Sequence, residues 1–310
     1  MANEFEIVIA GAGIAGLTAA MTAARLGRKT LLLTGNVPGG LLLSINRIDG
    51  YPGFPEGVPG YDLCPMAQEQ AVAAGAELAS GELRTLEPRA GNYALTTTEG
   101  EYLAQSVIIA AGASLKKLGV PGEEQYHGKG VSHCASCDAP MLRNRAVAVV
   151  GCGYSALQEA LTLAESGANV SILTRDTALT AQAAYRQQVL AQPAIKIRYH
   201  AIVEEILGDT AVTGVRIKET TSGATTELDV AAVFAYIGLQ PNSAVLQNLL
   251  QLDANGGIPV DAEMRTVLNG VLAAGIIRSG AAGRATSAAG DGATAARSAD
   301  RYLTDHRWRD

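Results

Sequence analysis

Two cysteines two residues apart stand in the run Cys134-Ala135-Ser136-Cys137-Asp138. Thiols at this spacing can close a small disulfide ring, and a thiolate there is stabilised by a helix end or a cation. The next residue, Asp138, can supply the proton that a released thiolate needs, or it can simply bond backbone amides after a turn. Half of a metal site and a pair of core cysteines are the competing readings. A closed zinc site needs two further ligands, and although His127 and His133 are close in sequence, no second such cysteine pair exists. The remaining cysteines, Cys64 and Cys152, are distant, so the four do not form a secreted disulfide framework. Cys152 lies in a glycine loop where small size explains it, and Cys64 is expected to pack a helix.

What must position a redox pair is a nucleotide-binding scaffold, and the chain contains that pattern twice. Glu6-Ile7-Val8-Ile9-Ala10 reads as a buried strand, followed by Gly11-Ala12-Gly13-Ile14-Ala15-Gly16, a helical stretch from Leu17 to Leu26, Gly27 and the strand Thr30–Leu33. This βαβ context gives the glycines their purpose: a tight turn, close approach of a pyrophosphate, and close helix packing. The helix start then offers its amides to the anion. The same grammar returns in Ala146–Val150, the loop Gly151-Cys152-Gly153-Tyr154-Ser155-Ala156, a helix from Ala156 to Glu165, Gly167 and the strand Val170–Leu173. Two such units imply two nucleotide sites and a relay between them, unless the second loop has become a packing relic.

Between the loops, Gly39-Gly40, Gly50, Pro52-Gly53, Gly57 and Pro59-Gly60 form a turn-rich stretch suited to a ligand surface. Weak alternation from Glu82 to Thr98 predicts a small antiparallel layer, and Ser106–Ala113 a buried strand ending in a turn at Gly112. Pro121-Gly122 and Gly128–Gly130 suit a crossing between domains. Ile195–Tyr199 and Val215–Lys218 read as strands of a small sheet, and a last helix is expected from about Ser287 to Leu303. The layout is α/β, with two Rossmann-like three-layer domains, the second inserted in the first: residues 1–114 with 241–310, and residues 115–240.

The chain has 310 residues, a formal net charge of -6 and only 24 Lys plus Arg, which gives no broad basic surface for nucleic acid. A carrier protein or a small molecule is the expected partner. The start Met1-Ala2-Asn3-Glu4-Phe5-Glu6 lacks the basic region of a secretory peptide, and no apolar run has transmembrane length. The expectation is a cytoplasmic protein with no membrane segment.

Taken together, Gly11–Gly16, Pro38-Gly39-Gly40, Tyr51-Pro52-Gly53, Cys134–Asp138, Gly151–Ala156, Tyr236-Ile237-Gly238, Pro241-Asn242 and Ala288–Gly292 make the chain resemble the low-molecular-weight thioredoxin reductase family over essentially its whole length. The resemblance implies an FAD-binding first domain, an inserted domain for NADPH that carries the redox disulfide, and a homodimer. It implies that Cys137 sits nearest the flavin, that Cys134 attacks the partner disulfide, and that Asp138 assists proton transfer. It places FAD on Gly11, Gly13, Ile14, Ala15, Gly16, Gly39, Gly40, Leu41, Gly112, Gly275, Ile276, Arg284 and Ala285. The second nucleotide falls on Gly151, Gly153, Tyr154, Ser155 and Arg175.

Several positions depart from the family pattern. The His-Arg-Arg and later Arg that clasp the 2'-phosphate of NADPH are here Thr174-Arg175-Asp176 and Thr180. Asp176 repels that phosphate and suits a free ribose diol, which puts NADH ahead of NADPH, although a solvated Asp has the same appearance. The family's flavin-binding Gly-Asp is Gly275-Ile276, its Arg-Gln pair is Gly283-Arg284, and the Gln after Gly39-Gly40 is Leu41. Tyr154 could stack on an occupant of the second site or block it. The leading expectation is an FAD-dependent enzyme that reduces a thioredoxin-like protein or a small-molecule disulfide. The alternatives are a relative fed by ferredoxin or by a second FAD, a dithiol oxidase, and a flavin redox sensor.

Overall fold

The computed structural model describes residues 3–308. The chain forms two compact units, Met1–Ser114 with Gln240–Asp310, and Leu115–Leu239.

In the first unit the strands Glu77–Ala79, Thr30–Leu33, Asn3–Ala10 and Glu101–Ile109 lie parallel in that spatial order. Asn92–Thr97 and Leu83–Arg89 extend the sheet as an antiparallel hairpin, and Val271–Ala273 pairs with the far end of Glu101–Ile109. The weak alternation of Glu82–Thr98 is thus an extension of the main sheet rather than a separate layer. Helices α1 (Ile14–Arg25), α2 (Gly60–Ala73) and α6 (Ala285–Asp305) supply side chains to one face. Small residues let α1 and α6 approach closely: Ala19, Ala20 and Ala23 are buried with Ala295, Ala296 and Ala299. At Gly292 a Cβ would stand 2.0 Å from the Ala15 carbonyl oxygen, so only glycine fits the crossing.

The second unit has a parallel sheet in the order Ile195–Arg198, Asn169–Leu173, Ala146–Val150, Ala232–Ala235, Val131–Ser132. Its strands Ala146–Val150 and Ala232–Ala235 are apolar without alternation because both faces are covered. Helices α4 (Tyr154–Glu165) and α5 (Ala183–Ala191) cover one face, and the antiparallel strands Ala201–Gly208, Val212–Glu219 and Thr225–Asp229 cover the other. The short α3 (Ala135–Asp138) follows the edge strand directly. Two sequence expectations change. Ile195–Arg198 belongs to the parallel sheet, not the small one. Pro121-Gly122 and Gly128–Gly130 are turns inside this unit: a Cβ on Gly122 would meet the Ile206 carbonyl at 2.1 Å, and Tyr126 Oη donates to the Gly208 carbonyl at 2.6 Å. Among the described residues no helix is long and apolar enough to cross a membrane.

Candidate redox site and nucleotide loops

Cys134 and Cys137 form a disulfide across α3, with Cα atoms 5.3 Å apart. One helical turn brings the two residues to this separation. Cys134 is the N-cap of α3, where its Sγ accepts from the Cys137 amide at 3.3 Å, and its own amide donates to Ser132 Oγ at 3.2 Å. Cys137 is exposed and Cys134 half-buried, so the pair opens to solvent on one side. Asp138 follows on the same turn and is half-buried.

The other side of the turn is closed by Tyr236. Its hydroxyl donates to the His133 carbonyl at 3.2 Å, so the phenol holds the backbone just before Cys134. Burial drives its ionisation far up, with Glu159 and Asp138 adding to the effect. Glu159 lies on α4, 8% exposed, and burial pushes its carboxyl up to about 7. His133 has Nδ1 buried without a hydrogen-bond partner. Burial and the neighbouring His127 ring, 5.9 Å away between centroids, hold its imidazole below the usual value.

The second loop begins where the Tyr236 backbone ends. Gly151 has φ +133°, and a Cβ there would lie 2.3 Å from the Tyr236 carbonyl oxygen. Gly153 caps α4 without any side-chain hydrogen bond, and nothing stands within 4 Å of the Cβ it lacks. The α4 amides therefore face open space, as an anion cradle requires. Ser155 and Arg175 are exposed beside it. Tyr154 turns toward α5, its hydroxyl 3.1 Å from that of Tyr185 with the rings edge to face at 4.7 Å. Asp176 is tied to the loop: Cys152 Sγ donates to its Oδ2 at 3.0 Å, Thr174 Oγ1 lies 3.4 Å from the same oxygen, and the Thr180 amide donates to the Cys152 carbonyl at 3.0 Å. Cys152 is thus more than a small residue in a tight loop.

The first loop has the same form. Gly11 (φ +110°) lies under the Ala110 carbonyl, 2.4 Å from a hypothetical Cβ, and Gly13 caps α1 with open space beside it. Gly16 admits no Cβ, which would stand 1.8 Å from the Gly11 carbonyl oxygen. The Gly39 amide donates to the Ala12 carbonyl at 2.8 Å, bringing Gly39, Gly40 and the exposed Leu41 to the loop. Gly112 accepts from the Asn242 amide at 3.1 Å. Ile14 shares a small apolar cluster with Ala285 and Ala288 at the start of α6, where Arg284 is the N-cap. This open cradle of uncapped amides fits a dinucleotide phosphate in each unit.

Around Gly275-Ile276 the structure supplies what the local sequence lacks. Ile276 turns its side chain toward Gly283, 3.7 Å from the place of a Cβ there. A carboxylate comes instead from α6: Asp291 Oδ2 accepts from the Gly275 amide at 3.1 Å and from Arg278 Nε at 2.6 Å, while Arg278 Nη2 donates to Oδ1 at 3.0 Å. Both side chains are largely buried. Sequence reading missed this pair because Arg278 and Asp291, thirteen residues apart, lie on different elements that only packing brings together. Glu159 left a fainter signal, a carboxyl on the apolar side of a helix. Cys64 is 2% exposed, and burial pushes its thiol up to about 11, which leaves Cys134 and Cys137 as the accessible sulfur chemistry.

Two uncapped glycine loops and a solvent-facing disulfide define a nucleotide-dependent disulfide oxidoreductase, and residues 5–292 match the family model for pyridine nucleotide-disulphide oxidoreductases. The sequence is 38% identical over 303 residues to thioredoxin reductase of Treponema pallidum, covering 98% of each chain. The fold matches the crystal structure of Lactococcus lactis thioredoxin reductase (FR conformation) with TM-score 0.94 at 36% identity, covering 97% of this chain and 99% of that one. It matches T. acidophilum thioredoxin reductase with TM-score 0.92 at 35% identity, over 98% and 100%. The chain belongs to the low-molecular-weight thioredoxin reductase family, and it is an FAD-dependent thiol-disulfide oxidoreductase.

Proposed function

We propose that this enzyme takes electrons from NADH rather than NADPH and delivers them through Cys134–Cys137 to a thioredoxin-like protein disulfide. The observation behind the donor assignment is Asp176, whose carboxylate the Cys152 thiol holds against the second glycine loop. A carboxylate fixed there accepts from a ribose diol and repels a 2'-phosphate, and Arg175 is the single cation of Thr174-Arg175-Asp176. When bound, FAD supplies two-electron chemistry between the nicotinamide and the disulfide.

The roles of the chain's own residues follow. Gly11, Gly13, Ile14, Ala15 and Gly16 hold the flavin pyrophosphate on the α1 amides, with Gly39, Gly40, Leu41, Gly112, Gly275, Ile276, Arg284 and Ala285 around the rest. Gly151, Gly153, Tyr154 and Ser155 hold the nicotinamide dinucleotide on α4. Cys137 receives the electron pair, Cys134 attacks the partner disulfide, and Asp138 carries the proton between a thiolate and solvent. The partner reading rests on the thioredoxin reductases to which the chain is similar.

Anaerobic titration with NADH and with NADPH tests the donor. NADH is expected to bleach the flavin at least tenfold faster. Equal rates, or faster bleaching by NADPH, remove the role given to Asp176. A second reading, with a second FAD on the α4 loop and no nicotinamide, draws on the same loss of cations. Bleaching by neither nucleotide, with two flavins released per chain, would establish it. Cys137→Ser is expected to abolish disulfide reduction while leaving the flavin in place.

A further inference from the structure

Glu159 and Tyr236 are buried groups of the second unit that the proposed chemistry does not use. Glu159 is a carboxyl in the apolar interior of the second unit, on the α4 side that also carries the fully buried Ala156, Ala160 and Leu163. A buried carboxyl with no cation beside it is costly, and Ala or Leu would fill the position with less loss. Tyr236 is 9% exposed and joins the second glycine loop to the redox turn, with its carbonyl against Gly151 and its hydroxyl on the His133 carbonyl, one residue before Cys134.

We propose that Tyr236 and Glu159 are positioning and proton-holding residues of the redox disulfide: Tyr236 fixes the backbone around Cys134, and Glu159 takes up a proton when the disulfide is reduced. The proposal rests on Cys134–Cys137 being the redox centre. Reduction breaks the S–S bond, two electrons enter, and one sulfur takes a proton while the other remains a thiolate. That thiolate is a new negative charge on α3, which packs against α4. It favours the neutral form of a nearby carboxyl, so an ionised Glu159 binds one proton from solvent. In total, disulfide, carboxylate, two electrons and two protons become thiol, thiolate and carboxylic acid.

The surroundings give this uptake little competition. Among the elements packed on α4, α3 brings Asp138 and the cysteines, α5 brings Tyr185 and Arg186, and Ile195–Arg198 brings Lys196 and Arg198. The strands Ala146–Val150 and Asn169–Leu173 bring no ionisable side chain. Burial alone shifts Glu159, upward to about 7, so no charged neighbour holds it ionised. The charge on the carboxyl can therefore change within the range where thiols exchange.

The test is the pH dependence of the dithiol-disulfide equilibrium of the holoenzyme against dithiothreitol between pH 6 and 9, read by alkylation and mass, for wild type, Glu159→Gln, Glu159→Asp and Tyr236→Phe. Above pH 7 the wild-type equilibrium should fall more steeply than that of Glu159→Gln. The limit is a further factor of ten per pH unit, about 30 mV for a two-electron couple. Glu159→Asp should retain the steeper slope. Tyr236→Phe should keep the ring packing and change the rate at which Cys134 is alkylated after reduction. Parallel slopes for wild type and Glu159→Gln, or an unchanged Cys134 rate in Tyr236→Phe, overturn the corresponding half. If Cys134–Cys137 fails to exchange in wild type, the redox-centre reading itself falls, and this proposal with it.

Discussion

The two glycine loops begin alike and end differently. Gly11 and Gly151 both take positive φ, and in each the place of a Cβ is filled by a carbonyl from a neighbouring strand, Ala110 at 2.4 Å and Tyr236 at 2.3 Å. Gly13 and Gly153 both leave a helix start uncapped toward open space. The third position separates them. Gly16 sits hard against Gly11, whereas its counterpart Ala156 tolerates a methyl. The buried side of α1 holds only apolar residues and glycine, while α4 buries Gln158 and Glu159. Around the first loop further contacts come from α6, Gly275 and Gly39; around the second they come from Asp176, Thr180 and Tyr236. A shared turn thus leaves an uncapped helix start in each unit, and residues from other segments decide what surrounds it.

The sharpest way to break the comparison is at its third position. Gly16→Ala puts a methyl where 1.8 Å separates it from a backbone oxygen, so loss of bound flavin and several kcal/mol of stability are expected. Ala156→Gly should cost less, about 2 kcal/mol, from the helix propensity difference and the loss of one buried methyl. Flavin content per chain and thermal unfolding report both, and equal losses would show that the loops pack alike.

A second difference is the carboxyl buried by α4. Glu159 binds its proton more tightly in the folded chain, so its contribution is complete below the ordinary value of 4.5 and is lost as pH rises through about 7. Between pH 4 and pH 8.5 the oxidised wild type should lose about 3 kcal/mol more stability than Glu159→Gln, because burial lifts its carboxyl from 4.5 to about 7. Denaturant unfolding at the two pH values measures this, and a constant difference would mean that Glu159 is not desolvated.

A smaller effect belongs to the first unit. Arg278→Met leaves Asp291 without its buried cation beside Gly275, and flavin affinity should fall about tenfold to a hundredfold. Dialysis followed by flavin fluorescence measures it; unchanged affinity would detach Asp291 from the cofactor site. The smallest effect is expected at the second loop, where Cys152→Ala removes one hydrogen bond to Asp176 and should cost about 1 kcal/mol. Its stronger readout is a narrower preference for NADH over NADPH.

Much of this was legible in the chain. Both βαβ units with their glycine loops and the disulfide turn depend on residues close together in sequence, where periodicity and glycine spacing carry the signal. Helix limits moved by a few residues, and the start of α6 reaches back to Ala285 because Arg284 is the last extended residue before it. Ile195–Arg198 was readable as a strand but not as a member of the parallel sheet, since four apolar-polar residues do not encode their partner. Gly275-Ile276 was readable only as a deficit.

By itself, then, the sequence determined the two cradles, the redox pair and the family, because each is a local pattern whose geometry follows from neighbouring residues. Only the tertiary structure placed Asp291 on the Gly275 amide, Cys152 on Asp176, and Tyr236 on the His133 carbonyl just before Cys134. These contacts join residues from 16 to about a hundred positions apart. Their partners are selected by how helices and strands pack, and no spacing along the chain records that choice.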